Sequence, residues 1–160
     1  MNRKKTRALI LAATAALLLL TGCSGGSKTK EISVEPDKLA SEIASAAVTS
    51  DTLTPAVENM IQGIYYISDE VYQSGAAYMS AGSTACEVVV IECKDASKTA
   101  DVKKAFEERR TSQETLYESY APEEAAKLKN AIIKTGGKYA VLVVCDDTAK
   151  AEELLKNAGF

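Results

Sequence analysis

The feature that most limits the possible folds is a pair of short runs rich in β-branched residues. Residues 85–93 read ACEVVVIEC and residues 138–145 read KYAVLVVC. Valine and isoleucine favour strands because their branched side chains pack well on a pleated surface. The second run is apolar on both of its faces, so it predicts a central strand covered on both sides or packed deep in the core.

Weaker patterns surround these two strands. Helices are predicted from apolar residues at helical spacing, over residues 37–48, 97–120, 122–134 and 148–158. Thr54-Pro55 is expected to open a further short helix that stops near Gly63. Residues 71–81 indicate another strand, joined to the next by a GST hairpin connection. This mixture predicts an α+β fold, with a small mixed or antiparallel sheet of three to four strands and helices mainly on one face.

The amino terminus has the pattern of an export signal. Four basic residues fall within the first seven, and an apolar run of 13 residues follows from Ala8 to Leu20. A spanning helix needs about 20 residues, so this run is too short for an ordinary transmembrane helix. We predict a signal peptide over residues 1–22, a cysteine with a flexible tether over 23–36, and a single domain over 37–160.

The end of the apolar run identifies the first residue of the mature chain. Residues 20–23 read LTGC, which resembles the lipobox of bacterial lipoproteins. That resemblance implies cleavage before Cys23 and attachment of a diacylglyceryl group to its sulfur. One acyl chain holds a protein only marginally, whereas two make a stable anchor. The expected location is therefore the extracytoplasmic face of the cell membrane.

Charge limits the possible partners of the mature chain. The full sequence has 19 basic and 22 acidic side chains, a net charge of −3. Cleavage after residue 22 removes four basic side chains and no acidic one, so the net charge becomes −7. An acidic domain does not favour nucleic acid, because binding there depends on neutralising phosphates with Lys and Arg. The expected partners are the membrane, through the anchor at Cys23, and an envelope protein or peptide.

One candidate ligand site lies on the long predicted helix. Arg109 and Gln113 fall in the middle of its apolar stripe, which is formed by Val102, Phe106, Leu116, Tyr117 and Tyr120. A buried, unpaired guanidinium is costly, so Arg109 must reach an acidic partner or a ligand, unless the helix end projects past the sheet. The functional interpretation is an anion or peptide-carboxylate site made by Arg109, Gln113, Tyr117 and Tyr120. The structural interpretation is a snorkelling arginine with a hydrogen-bonded partner.

The remaining cysteines allow at most one disulfide. With Cys23 acylated, Cys86, Cys93 and Cys145 are left. Cys86 and Cys93 lie seven residues apart on one predicted strand, on opposite faces, and cannot pair. Cys93 with Cys145 is the best candidate, because parallel neighbouring strands would bring both ends together. Buried free thiols are the alternative.

Catalytic motifs are missing from the sequence. It contains no histidine, no phosphate-binding glycine loop and no zinc or calcium motif, so we expect no catalytic residues, metal or cofactor. A non-catalytic binding or scaffolding domain is the favoured function. One alternative is a substrate-capturing subunit of an envelope transporter, although the domain is small for two lobes. Another is an envelope hydrolase, which would need Ser, Lys and carboxylate groups in one cleft.

The pattern over residues 37–150 also resembles a known family. It carries EVVVIEC followed by a charged helix with Arg109 and Gln113, the YAPEE turn at Tyr120 to Glu124, and a final GKYAVLVV strand. Together with the lipobox, these pieces resemble a family of small lipoproteins from Gram-positive, clostridium-like bacteria, catalogued as a domain of unknown function. The resemblance implies no activity.

Overall fold

A computed structural model describes residues 32–82 and 84–160 of the chain. The predicted signal peptide, Cys23 and most of the predicted tether lie outside the described residues. Among the residues that are described, no helix is both long and apolar enough to cross a membrane.

Five helices and five strands make up the described domain. The strands are β1 Thr54–Pro55, β2 Tyr72–Met79, β3 Glu87–Cys93, β4 Ile132–Gly136 and β5 Tyr139–Val144. The helices are α1 Pro36–Ala47, α2 Glu58–Tyr65, α3 Thr99–Glu118, α4 Pro122–Lys129 and α5 Thr148–Ala158. The strands form one open sheet in the order β1-β2-β3-β5-β4, and every neighbouring pair is antiparallel.

The two strands predicted most strongly, β3 and β5, lie side by side near the centre of this sheet. Their register places Glu87 opposite Val144 and Glu92 opposite Tyr139. One face of the pair buries Val88, Val90, Val141 and Val143 against α1 and α5. The other face buries Val89, Ile91, Leu142 and Val144 beneath α2, α3 and α4. The prediction of a central strand covered on both sides is therefore confirmed.

Two details of the predicted fold are wrong. The sheet has five strands rather than three or four, and the helices cover both faces rather than mainly one. The second error has a clear physical origin. Strands that are apolar at consecutive positions expose apolar side chains on both faces, so helices are needed on each side to bury them.

The additional strands come from segments predicted to be helical. Thr54-Pro55 pairs with the end of β2 as the edge strand β1, where a proline that cannot donate a hydrogen bond is tolerated. The helix expected over residues 122–134 ends at Lys129 instead. Ile132 and Ile133 are β-branched and begin β4, which a tight turn joins to β5. Gly137 in that turn has a φ of 55°, a conformation that favours glycine.

The junction between β5 and α5 leads directly to the polar groups described below. Asp146 and Asp147 follow the strand, and both of their backbone N–H groups donate to the carbonyl of Ala47 at the end of α1. The Asp147 carboxylate caps α5 by accepting a hydrogen bond from the Lys150 N–H at 2.9 Å. This arrangement fixes Asp146 at the end of the sheet, beside the loop that follows α1.

Candidate functional site

Arg109 meets an acidic partner inside the domain. It projects from α3 towards the start of β3, where its Nε lies 2.9 and 3.0 Å from the two carboxylate oxygens of Glu87, and its Nη2 lies 2.7 Å from Oε2. The exposed fractions of the two side chains are 18% and 5%. A bidentate pair that is largely buried from solvent is among the stronger charge-assisted contacts in proteins.

An aromatic ring packs against the arginine of this ion pair. The guanidinium carbon of Arg109 lies 5.1 Å from the centre of the Tyr65 ring, and the Tyr65 and Phe106 rings meet edge to face at 5.7 Å. Burial alone would lower the pKa of Arg109, but the contact with Glu87 outweighs it and raises the pKa. Of the alternatives predicted for Arg109, the acidic partner is the one that the structure contains.

A small cavity of about 160 Å³ borders the pair. Arg109, Gln113 and Tyr117 all line it, so three of the four predicted site residues lie together. The Tyr117 hydroxyl donates to the Thr84 carbonyl at 2.7 Å, and the Gln113 side chain makes no hydrogen bond with another described residue. Tyr120 lies outside the cavity, 60% exposed, with its ring centre 5.0 Å from that of Tyr117. Gln113 is therefore the polar group most available to a ligand in this cavity.

A second polar cluster surrounds Lys127 of α4. Its Nζ lies 2.8 Å from Glu124 Oε1, 2.8 Å from Asp146 Oδ1 and 3.0 Å from Ser50 Oγ. The Cys86 sulfur is 3.7 Å from the same nitrogen. Four segments that are distant in sequence thus meet at one ammonium group.

Carboxylates in this Lys127 cluster also bind the backbone. Asp146 accepts hydrogen bonds from the N–H groups of Thr49 and Ser50 at 2.7 and 2.9 Å. Glu124 is buried and accepts one from the Ala85 N–H at 2.8 Å. The cluster therefore ties the loop after α1 and the start of β3 to the end of β5 and to α4, which gives it a clear structural role.

The Lys127 cluster contains a serine beside a lysine, the arrangement of a serine–lysine catalytic pair. The lysine, however, is protonated and so cannot act as a base. Burial would lower the pKa of Lys127, yet the hydrogen bonds with Asp146 and Glu124 outweigh it and raise the pKa well above the usual value. Ser50 Oγ also donates to Asp146, at 2.9 Å. A lysine that activates serine must be neutral. In this state the ammonium cannot accept the Ser50 proton.

The three described cysteines are free and buried. Cys93 ends β3, whereas Cys145 follows β5 at the opposite end of that antiparallel pair, next to Cys86 in the extended register. The predicted Cys93–Cys145 disulfide required parallel strands, and about 20 Å of strand now separates the two residues. Burial raises the pKa of Cys93 to about 11 and that of Cys145 to about 12, so these thiols stay protonated at neutral pH.

Sequence reasoning missed Glu87 and the Lys127 cluster for different reasons. Glu87 shares a strand face with Val89 and Ile91, so its alternation could have identified it as the inward partner of Arg109. Ser50, Lys127 and Asp146 carry no comparable signal, because only the tertiary fold brings them together. Over residues 32–82 and 84–160, no group of three or more His, Cys, Asp or Glu side chains is arranged to hold a metal ion.

The fold is a small α/β domain with an antiparallel five-stranded sheet between two layers of helices. Its buried cations, Arg109 and Lys127, each form ion pairs with carboxylates of the same domain. Residues 46–145 match the family described as Domain of unknown function (DUF4358), and the chain belongs to this family. The match runs from the end of α1 to the end of β5, and it confirms the resemblance to a domain of unknown function. No curated protein and no solved structure matches the chain.

Proposed function

We propose that this chain is a lipid-anchored, extracytoplasmic lipoprotein of a Gram-positive bacterium whose domain binds or scaffolds an envelope protein without catalysing a reaction. The observation that carries the proposal is the LTGC sequence directly after a basic start and a 13-residue apolar run. The tether that follows would let the domain stand clear of the membrane surface.

The single-sheet architecture supports a binding domain over a transporter's substrate-capturing subunit. Substrate capture by a clamshell uses a deep cleft between two lobes that close on the ligand. The described residues form one sheet whose two cores lie on its opposite faces. The cavity at Arg109 is only about 160 Å³ and is bordered by an ion pair that is already satisfied.

An envelope hydrolase is the second candidate, because Lys127 Nζ lies 3.0 Å from Ser50 Oγ with two carboxylates beside it. The raised pKa of Lys127 argues against a hydrolase, because a protonated lysine cannot take the proton of Ser50. A fluorophosphonate probe separates the two functions. We expect the wild-type chain and Ser50→Ala to be labelled equally little, whereas labelling that depends on Ser50 would establish a hydrolase.

Anchoring is tested by metabolic labelling of the full chain in a Gram-positive host with an alkyne analogue of palmitate. We expect label and membrane association in the wild type, and loss of both in Cys23→Ala. Mass spectrometry of the amino-terminal peptide should place the lipid on Cys23. An unacylated mature chain, or one that keeps residues 1–22, would overturn the anchoring part of the proposal.

Binding is tested by photo-crosslinking in intact cells. A benzoylphenylalanine is placed at Tyr120, beside the Arg109 cavity, at Thr111 on the outer side of α3, and at Lys156 on α5 as a control on the opposite face. We expect a discrete protein adduct from Tyr120 or Thr111 and none from Lys156. Absence of an adduct at both test positions would contradict a binding role for this side of the domain.

A further inference from the structure

One edge of the sheet is formed by β4, and no described strand pairs with its outer side. β4 pairs only with β5, and none of its backbone groups makes a hydrogen bond on the outer side with another described residue. An edge strand of this kind presents a row of unpaired donors and acceptors, to which another extended chain can add. The five residues of β4 span about 17 Å at 3.3 Å per residue.

A groove runs between this edge and α3. It has a volume of about 870 Å³, within the range of roughly 300–1,000 Å³ typical of ligand sites. Its β4 side is formed by Ala131 and Ile133, and Ile133 alternates onto the α3 face of the strand. The helical side is lined by Lys103, Lys104, Glu107, Glu108, Arg110 and Thr111, with Ser112 and Thr115 beyond. An apolar floor beside an unpaired strand edge suits the alternating side chains of an extended peptide.

Arg110 is the cation of this groove that has no ion-pair partner among the described residues. Its Nε is buried and has no hydrogen-bond partner in the part of the chain that the structure describes, and no carboxylate there forms an ion pair with it. The other cations differ, because Lys103 and Lys104 each lie 3.7 Å from a glutamate one turn further along α3. Because Arg110 is half-buried, lines the groove and forms no ion pair with a described residue, its positive charge is complementary to a carboxylate.

We propose that the groove between β4 and α3 binds an extended peptide segment of another envelope protein, which adds to the sheet beside β4 and places an acidic side chain on Arg110. Its location at the envelope rests on the proposed function above. Backbone hydrogen bonds to β4 supply affinity, and the acidic residue, together with an apolar side chain over Ile133, supplies specificity. The sheet thereby gains a sixth strand.

Charge argues against the two other occupants of this edge. A second copy that paired through its own β4 would bring the sequence NAIIKTGGK, residues 130–138, which contains no carboxylate for Arg110. The chain's own residues 24–31 contain Lys28 and Lys30 against one glutamate. They also lead into Ile32, whose side chain contacts Gly136 on the α5 face of the sheet, away from α3.

The test is a selection with a phage-displayed library of random decapeptides on the purified full-length chain in detergent. Enriched peptides are synthesised, labelled and measured by fluorescence polarisation. We expect them to contain Asp or Glu and to bind Arg110→Gln at least tenfold more weakly than the wild type. Lys104→Gln is the matched control on the same helix and should bind within twofold of wild type. Arg110→Lys keeps the positive charge but loses the planar guanidinium group, so its affinity for the peptides should lie between those of the other two variants.

Backbone pairing is tested by methylating the peptide amides one at a time. If the peptide adds as a strand, methylation should weaken binding at every second residue, because only alternate N–H groups face β4. Hydrogen exchange should slow at those amides of residues 132–136 that face away from β5, because the others already pair with β5.

Four results would overturn the proposal that this groove binds a peptide. They are no enrichment of peptides over empty beads, binding to Arg110→Gln as tight as to the wild type, loss of binding on methylation that does not alternate along the peptide, or a dimer whose dissociation exposes the site. None of them depends on acylation of Cys23, so this proposal and the proposed anchoring fail separately. If the peptides slow hydrogen exchange near Gln113 instead, the domain binds peptides at the Arg109 cavity and not at this groove.

Discussion

Arg109 and Arg110 are neighbours on one helix and have opposite surroundings. Arg109 points into the domain, where Glu87 takes both of its facing donors. Arg110 lies about 100° further around α3 and lines the open groove, and its buried Nε has no partner among the described residues. The same side-chain chemistry therefore forms a closed structural contact at one position and an open binding position at the next.

The contrast shows that an arginine on an apolar helix face does not by itself define a site. What decides is whether the fold already supplies its counter-charge. Removing one member of a buried pair leaves the other charge with neither water nor a partner. Removing a half-buried cation that has no partner leaves no buried charge behind. The two positions should thus separate cleanly when stability and binding are measured side by side.

The largest effect is expected from Arg109→Ala. It leaves the Glu87 carboxylate buried without a partner, so the free energy of unfolding should fall by about 3–5 kcal/mol. Urea denaturation measures this loss, and Arg110→Ala is the adjacent control, expected to change stability by less than about 1 kcal/mol. The double variant Arg109→Met with Glu87→Leu should recover most of the loss, because it removes both charges and keeps the volume. Equal losses in the two single variants would contradict the different surroundings of the two arginines.

Much of the fold, by contrast, follows from pattern. The strongest runs, β3 and β5, are predicted within two residues of their ends, and α1 and α5 almost match their observed bounds. The sequence predicts β4 as part of a helix, because Pro122 can open one and Gly136-Gly137 would stop it. Only pairing with β5 makes Ile132 and Ile133 a strand. Tertiary pairing overrides local pattern most easily at sheet edges, where strands are short.

The candidate site was predictable only in part. The position of Arg109 on the α3 stripe indicated a buried guanidinium, and alternation along β3 contained the identity of its partner. Arg110 gave no signal, since its importance comes from a groove between two elements. Lys127 gave none either, because its three oxygen partners come from the loop after α1, from its own helix and from the end of β5.

A smaller loss is expected from Lys127→Met, which extends the comparison to the second buried cation. Glu124 and Asp146 would lose the ammonium that neutralises both, and their exposed side-chain fractions are only 11% and 18%. The free energy of unfolding should fall by about 2–3 kcal/mol, less than for Arg109 because water reaches this cluster more easily. Lys129→Met, two residues away on an exposed pair with Glu118, should cost about 0.5 kcal/mol or less. A larger loss at Lys129 would contradict a stabilising role for the cluster.

Acid titration sharpens the assignment of Asp146. Burial would raise its pKa, but hydrogen bonds from Lys127, Ser50 and Thr49 outweigh burial and hold it well below the ordinary 3.8. The unfolded chain therefore takes up a proton first as the pH falls. The stabilisation is present above about pH 4 and is lost at lower pH. Asp146→Asn should lower stability by about 1–2 kcal/mol at pH 7 and flatten its dependence on acid below pH 4. An unchanged slope would mean that other carboxylates dominate acid unfolding.

The smallest effect is expected at Gln113, which tests whether the cavity beside Arg109 is a ligand position or only part of the core. Gln113 lines this cavity and is half-buried, and its side chain makes no hydrogen bond with another described residue. Gln113→Ala should therefore change the free energy of unfolding by less than about 0.5 kcal/mol. Tyr117→Phe is the matched comparison at the same cavity. It removes the donor to the Thr84 carbonyl and should cost about 1–2 kcal/mol, because that buried acceptor is left unpaired. A loss above 1 kcal/mol in Gln113→Ala would assign the cavity to structure alone, and the open groove at Arg110 would then be the better place to look for a partner.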